Sequence, residues 1–219
     1  MDLVTQSIID GIDRNRPLII SDADEVLLQF IVTLETWLIN NDYIVDFKTF
    51  SLTDSIKNKA TMRAVSQHEM GYILDRFFEE KVEDIPAVNG AVEALSDLSE
   101  TAQIIILTNV PARHRERRYK ALRRLGMDYP VIANDGSKGP MVKSLASGHK
   151  APIAFIDDLP PHHTAVAEAA GHIHRLHFVA DSRLAAKIGK ADAAHARHDT
   201  WAQAKDWLSD VLVLTSPRS

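Results

Sequence analysis

The stretch PLIISDADEV, residues 17–26, decides how the rest of the chain is read. Leu18, Ile19 and Ile20 form an apolar run that ends in two carboxylates spaced i and i+2, Asp22 and Asp24. A buried carboxylate is costly unless it is paired or bound to a metal. The pair is therefore either a helix-capping turn or one part of a built anionic site, and the remainder of the chain has to decide.

Further apolar runs follow at residues 103–107 (QIIIL), 129–133 (YPVIA) and 153–156 (IAFI). A more polar fifth, residues 173–179 (IHRLHFV), reads as an edge strand. The runs are near-continuous rather than alternating, which marks a parallel sheet covered on both faces. Helical spacing appears between them at residues 88–98, from Pro111 to Leu125, at 140–145 and at 164–170. Pro111 suits a first helical turn, and Gly126 and Gly171 suit helix ends. The alternation predicts an α/β, doubly wound, Rossmann-like fold. From residue 27 to 102 no convincing strand appears. Residues 30–40 (FIVTLETWLIN) read as an amphipathic helix and residues 55–80 as one or two more. The chain thus divides into a core, residues 1–29 and 86–219, and a helical cap, residues 30–85. Trp37, Met62, Met70, Tyr72 and Phe77 are candidates for the cap's own core, and Arg63 and His68 for residues facing a site. Helices around Trp201 and Trp207 are expected to pack on the sheet, and residues 215–219 to fray.

Composition narrows the class. The 219 residues are 45% hydrophobic and 25% charged, with a net charge of −5. An acidic balance disfavours a general nucleic-acid binder. The absence of cysteine excludes disulfides, thiolate zinc sites and cysteine nucleophiles. The first residues do not read as a secretory signal, and no apolar run approaches the ~20 residues that span a bilayer. The expected address is cytoplasmic, with no membrane partner.

In open α/β sheets ligands bind beyond the carboxyl ends of the strands. There the first run leads to Asp22 and Asp24, and the second to Thr108 and Asn109. The third leads to Lys138 within GSKGP, and the fourth to Asp157 and Asp158. Brought to one edge, these groups suit phosphoryl transfer. Asp22 can attack phosphorus and become an aspartyl-phosphate. Asp24 can protonate the leaving oxygen and then activate water. So many carboxylates beside a phosphate call for Mg²⁺, a cation that prefers oxygen ligands. Lys138 supplies a compact positive charge, Thr108 a hydroxyl donor to the phosphoryl group, and Asn109 a group to position substrate or loop. Lys143 competes with Lys138 but lies deeper into its helix. The arginine-dense segment PARHRERRYKALRRLG, residues 111–126, reads as a solvated basic face from which Arg113 could reach an anionic substrate. Five of the ten histidines fall between His162 and His177. Alternation on a strand sends His174 and His177 to opposite faces, so three ligands from that strand cannot converge. His162, at the mouth of the site, is a candidate for substrate contact.

DADEV after LIIS resembles the first motif of the haloacid dehalogenase-like hydrolase superfamily, DxDx(T/V). LTN, SKG and FIDD resemble its second, third and fourth motifs, in the correct order, across residues 17–180. The resemblance implies a Rossmannoid core of strand order 5-4-1-2-3 with a mobile helical cap between the first two motifs. It implies Mg²⁺ held by the side chains of Asp22 and Asp158 and the backbone carbonyl of Asp24, with Asp157 behind them. It also implies a small phosphorylated metabolite as substrate, hydrolysed through the aspartyl-phosphate. Glu25 departs from the pattern where many members carry glycine, and His162 where a further acid is common. Asp24 argues against dehalogenase chemistry proper. A phosphomutase, a phosphonate hydrolase drawing an amine from Lys57 or Lys59, and a non-catalytic binding or regulatory module on the same fold stay open.

Overall fold

The computed structural model describes residues 2–47 and 52–213. The core elements are α1 (Leu3–Asp10), β1 (Leu18–Ser21), then α2 (Phe30–Asn40), β2 (Tyr43–Val45), α3 (Leu52–Ser55), β3 (Ile56–Asn58) and α4 (Gln67–Lys81) of the inserted segment. They are followed by α5 (Ala91–Ser99), β4 (Gln103–Thr108), α6 (Arg115–Arg124), β5 (Val131–Ala133), α7 (Gly139–Ala146) and β6 (Ile153–Asp157). The chain continues with α8 (Pro160–Ala169), β7 (His174–Phe178), α9 (Ser182–Ala185), β8 (Ala196–His198) and α10 (Trp201–Val211). The expected frayed tail, residues 215–219, lies outside the described residues.

Six strands form one sheet in the order β5-β4-β1-β6-β7-β8, every neighbouring pair parallel. With the five anticipated strands numbered along the chain, this is the expected 5-4-1-2-3 order, extended by β8. The extension corrects one expectation: β7 is interior and β8 is the edge. Its three residues, Ala196–His198, are all half-buried, too short and too polar to register as an apolar run.

Strand alternation sends side chains to two cores. Leu18, Ile20, Ile105, Leu107 and Phe155 pack with Ile9, Val142, Leu145 and Val166 of α1, α7 and α8. Ile19, Ile104 and Ile106 pack on the other face with Leu95, Leu98, Leu122, Trp201 and Leu208 of α5, α6 and α10. Trp201 also donates from its indole to Val26 O at 2.9 Å, fixing α10 to the loop after β1. No helix among the described residues is long and apolar enough to cross a membrane.

The inserted segment stands over the carboxyl end of β1. Trp37, Met70 and Phe77 are buried in it as expected, whereas Met62 and Tyr72 are exposed. α4 begins with a reciprocal capping box between Ser66 and Glu69. Between its helices lies an antiparallel hairpin, β2 with β3, where no strand was legible; three-residue strands carry too little periodicity to be read. The basic helix α6 is not simply solvated. Arg117 pairs with Glu79 at 3.3 Å and Glu83 at 2.8 Å, Arg124 with Glu83 at 2.9 Å, and Arg113 with Asp75. These partners lie on or just after α4, so α6 and the turn before it lay a strip of ion pairs against α4.

Candidate active site

The turn after β1 is built by backbone. Asp22 N donates to Ile156 O of β6 at 2.9 Å, and Ala23 O accepts from Leu27 N and Leu28 N at 2.8 and 2.9 Å. This turn requires a left-handed residue at Glu25, φ 61°. That geometry explains why glycine is common at the position. Glu25 offsets the strain with its carboxylate, which accepts from Ile31 N at the start of α2 at 2.9 Å and from Asp181 N at 2.6 Å. Burial pushes this carboxyl up, to about 7, against those two hydrogen bonds.

Asp22 and Asp158 are nearly buried and Asp157 wholly so, and each offers an oxygen within 4.8 Å of the others. Lys138, at the N-terminus of α7 and wholly buried, places its ammonium 2.8 Å from Asp22 Oδ1 and 2.7 Å from Asp157 Oδ2. Burial alone would lower the Lys138 pKa; Asp157 and Asp22 together outweigh it and raise it. Burial pushes the Asp22 carboxyl up, to about 7, with Lys138 opposing and Asp157 and Asp24 adding to the rise. Asp158 is also pushed well up, by burial first and then by the charges of Asp157 and Asp22. Its case differs because no cation touches it. Asp22 Oδ1 also accepts from Ala23 N at 2.7 Å, while its Oδ2 has no hydrogen bond among the described residues.

Asp24 points elsewhere. Arg118 Nη2 of α6 lies 2.9 Å from its Oδ1 and 3.2 Å from its Oδ2, with the hydrogen bond directed to Oδ2. Arg118 is wholly buried, stacks 5.7 Å over the Phe78 ring of α4, and leaves Nε and Nη1 unpartnered. Thr108 ends β4 wholly buried, its hydroxyl also without a partner. Asn109 is spent on its own loop, donating to Gly136 O at 2.9 Å and accepting from Asn134 at 2.8 Å.

A cavity of about 240 Å³ gathers Asp22, Asp24, Asn109, Lys138, Asp158 and His162 with Glu25 and four apolar residues of the cap. Thr108 and Asp157 stand outside its lining. Lys143 is exposed, and Lys57, Lys59, Arg63, His68 and Arg113 do not line it. His162 is buried, and burial lowers its pKa.

Three residues behind the site escaped the sequence reading. His163 Nε2 donates to Asp157 O and His177 Nε2 to Asp158 O, each at 2.9 Å, and His177 Nδ1 accepts from Ala191 N, which fixes its tautomer. No residue pattern marks these partners. Arg118 did leave a signal: His114, Arg118, Ala121 and Leu122 fall at helical spacing and are all buried.

The acidic group can hold a hard cation. All of its donors are oxygens, and one of the three carboxylates has no counter-charge.

No family model and no curated protein matches the chain. Solved structures do. A haloacid dehalogenase-like hydrolase family protein from Streptococcus pneumoniae is 12% identical, with a TM-score of 0.63 over 89% of this chain and 99% of that one. A haloacid dehalogenase family hydrolase from Deinococcus radiodurans, with bound phosphate and sodium, is 14% identical, with a TM-score of 0.62 over 93% and 99%. A predicted phosphoglycolate phosphatase from Haemophilus somnus is 15% identical, with a TM-score of 0.55 over 90% and 99%. Those likenesses run nearly the length of both partners: the chain has the haloacid dehalogenase-like hydrolase fold.

Proposed function

We propose that the chain is a Mg²⁺-dependent phosphomonoester hydrolase acting on a small phosphorylated metabolite through an aspartyl-phosphate on Asp22. One observation carries this: Asp22 presents an uncommitted Oδ2 at a cavity in which Lys138 holds its other oxygen. Oδ2 forms a bond to phosphorus as the ester oxygen departs, and the leaving oxygen takes a proton from Asp24. Asp24 then receives a proton from the water that cleaves the acyl phosphate, restoring both groups. Lys138 favours the anionic form of Asp22 and would place positive charge beside the phosphoryl oxygens, with the buried, unpartnered Thr108 hydroxyl as a donor once the phosphoryl group enters. Asp22 and Asp158 would hold Mg²⁺, with the Asp24 carbonyl as a further ligand and Asp157 behind them; the ion would neutralise phosphoryl charge.

The test is hydrolysis of a panel of phosphomonoesters with Mg²⁺, with EDTA, and with Asp22→Asn beside the wild type. Activity should need the metal, and the substitution should cost on the order of a thousandfold or more in kcat. Full activity in Asp22→Asn would sink the proposal.

One observation favours a phosphate-binding module with little turnover instead. Arg118 engages the Asp24 carboxylate and holds it away from the position of a leaving oxygen. Mg²⁺ binding without turnover of any ester would decide for that module. A phosphonate hydrolase lacks support, because neither Lys57 nor Lys59 lines the cavity.

A further inference from the structure

The cavity has two chemically distinct ends. Asp22, Lys138 and Asp158 form one; Phe30 and Ile31 of α2 with Leu74 and Phe78 of α4 form the other. The apolar end is stiff, since Phe30 lies 5.4 Å edge-on to Phe77 and 6.0 Å from Phe78. We infer that the substrate is a phosphate monoester of a small apolar alcohol or phenol, with no second anionic group. This rests on the phosphoryl-transfer reading of the same site.

Charge is the first reason. Among the described residues Lys138 is the one cation of the lining, and Asp22 and Asp157 already occupy it. Arg118 is wholly buried behind the lining, over the Phe78 ring and paired with Asp24, and Arg113 is paired with Asp75. A carboxylate such as that of phosphoglycolate, or a second phosphate, would meet aromatic rings with no counter-charge, and a buried unpaired charge is strongly unfavourable. Hydrogen-bonding capacity is the second reason. A sugar needs several partners for its hydroxyls, and Asn109 is already engaged by Gly136 and Asn134. Apart from the carboxylates of the phosphoryl end, His162 remains, without a hydrogen bond among the described residues and enough for a single oxygen. Size agrees: about 240 Å³ falls below the roughly 300–1,000 Å³ usual for ligand pockets.

Two measurements on the full chain with Mg²⁺ test the inference. The first compares kcat/KM for benzyl phosphate, glycerol phosphate and phosphoglycolate, all esters of primary alcohols. Benzyl phosphate should lead by at least tenfold, and Leu74→Arg should move the ratio at least tenfold toward phosphoglycolate. The second is calorimetric binding of benzylphosphonate and phosphonoacetate, neither of which can be hydrolysed at an ester. Benzylphosphonate should bind at least tenfold tighter. If no ester turns over while that ranking holds, the hydrolase reading falls and the pocket assignment stands. If turnover needs Asp22 and metal but favours phosphoglycolate or glycerol phosphate, the pocket assignment falls and the hydrolase stands. Equal binding, reversed binding, or no binding of either phosphonate overturns the inference.

Discussion

Lys138 has two jobs that a single ammonium can do only because both of its partners are carboxylates. It neutralises Asp22, and it anchors Asp157 at the end of β6. Removing it leaves two buried charges uncompensated. Lys138→Met should therefore cost about 3–5 kcal/mol of stability, read from urea unfolding in EDTA. A divalent cation should recover part of that loss, because it restores positive charge beside Asp22 and Asp158. No recovery with Mg²⁺ would argue against a cation site in the acidic group. Glu25 shows the opposite economy. The backbone position asks for glycine, and the side chain that replaces it survives because its two oxygens cap backbone N–H groups from α2 and from the residue after Ala180.

Helices place these residues, and α7 and α8 approach closely at Gly139. A Cβ at Gly139 would lie 2.5 Å from the carbonyl oxygen of Ala165, a backbone atom that cannot swing away. Gly139 directly follows Lys138, so the glycine lets α7 deliver the lysine to Asp22. Gly139→Ala should push the helices apart, cost about 1–3 kcal/mol and weaken Mg²⁺ binding as the ammonium shifts. Unchanged stability would show that α8 yields, and the glycine would then have no packing role. Helix α6 makes a related point. Its sequence is dense in arginine, yet one of those arginines faces inward, to Asp24, while Arg113, Arg117 and Arg124 meet acids of the cap segment. Helical spacing separates the two kinds.

The pH dependence of the whole fold has opposing parts: the raised carboxyls of Asp22, Glu25 and Asp158 favour the folded state as pH falls, and a buried histidine works against them. Burial pushes the His163 pKa down from 6.5 to about 4. The folded state therefore favours the neutral ring. Its contribution is complete above pH 6.5 and is lost as pH falls from there toward 4. Between pH 7.5 and 5.5 the stability of the wild type should fall by about 1 kcal/mol relative to His163→Gln, which keeps a donor for Asp157 O and cannot charge. Parallel pH profiles in urea, with EDTA present, check this; coincident slopes would show that His163 titrates normally.

The sequence by itself determined five of the six strands of the parallel sheet, their helical connections and the order of the groups at their carboxyl ends. Continuous aliphatic runs and i, i+2 acids are local patterns that survive without coordinates. Asp22, Lys138 and Asp158 were legible for that reason, and they meet at one cavity. Only tertiary structure decided which partner each group takes. Asp24 turns to Arg118, 94 residues away in sequence, and Glu25 reaches Asp181, 156 away. Such pairings depend on how α6 and the loop after β7 pack, which no single-chain periodicity encodes. The apolar end of the cavity was hidden for the same reason: nothing in the sequence singles out Phe30, Leu74 and Phe78, and only the placement of α2 and α4 beside the end of β1 gives them a surface for a ligand.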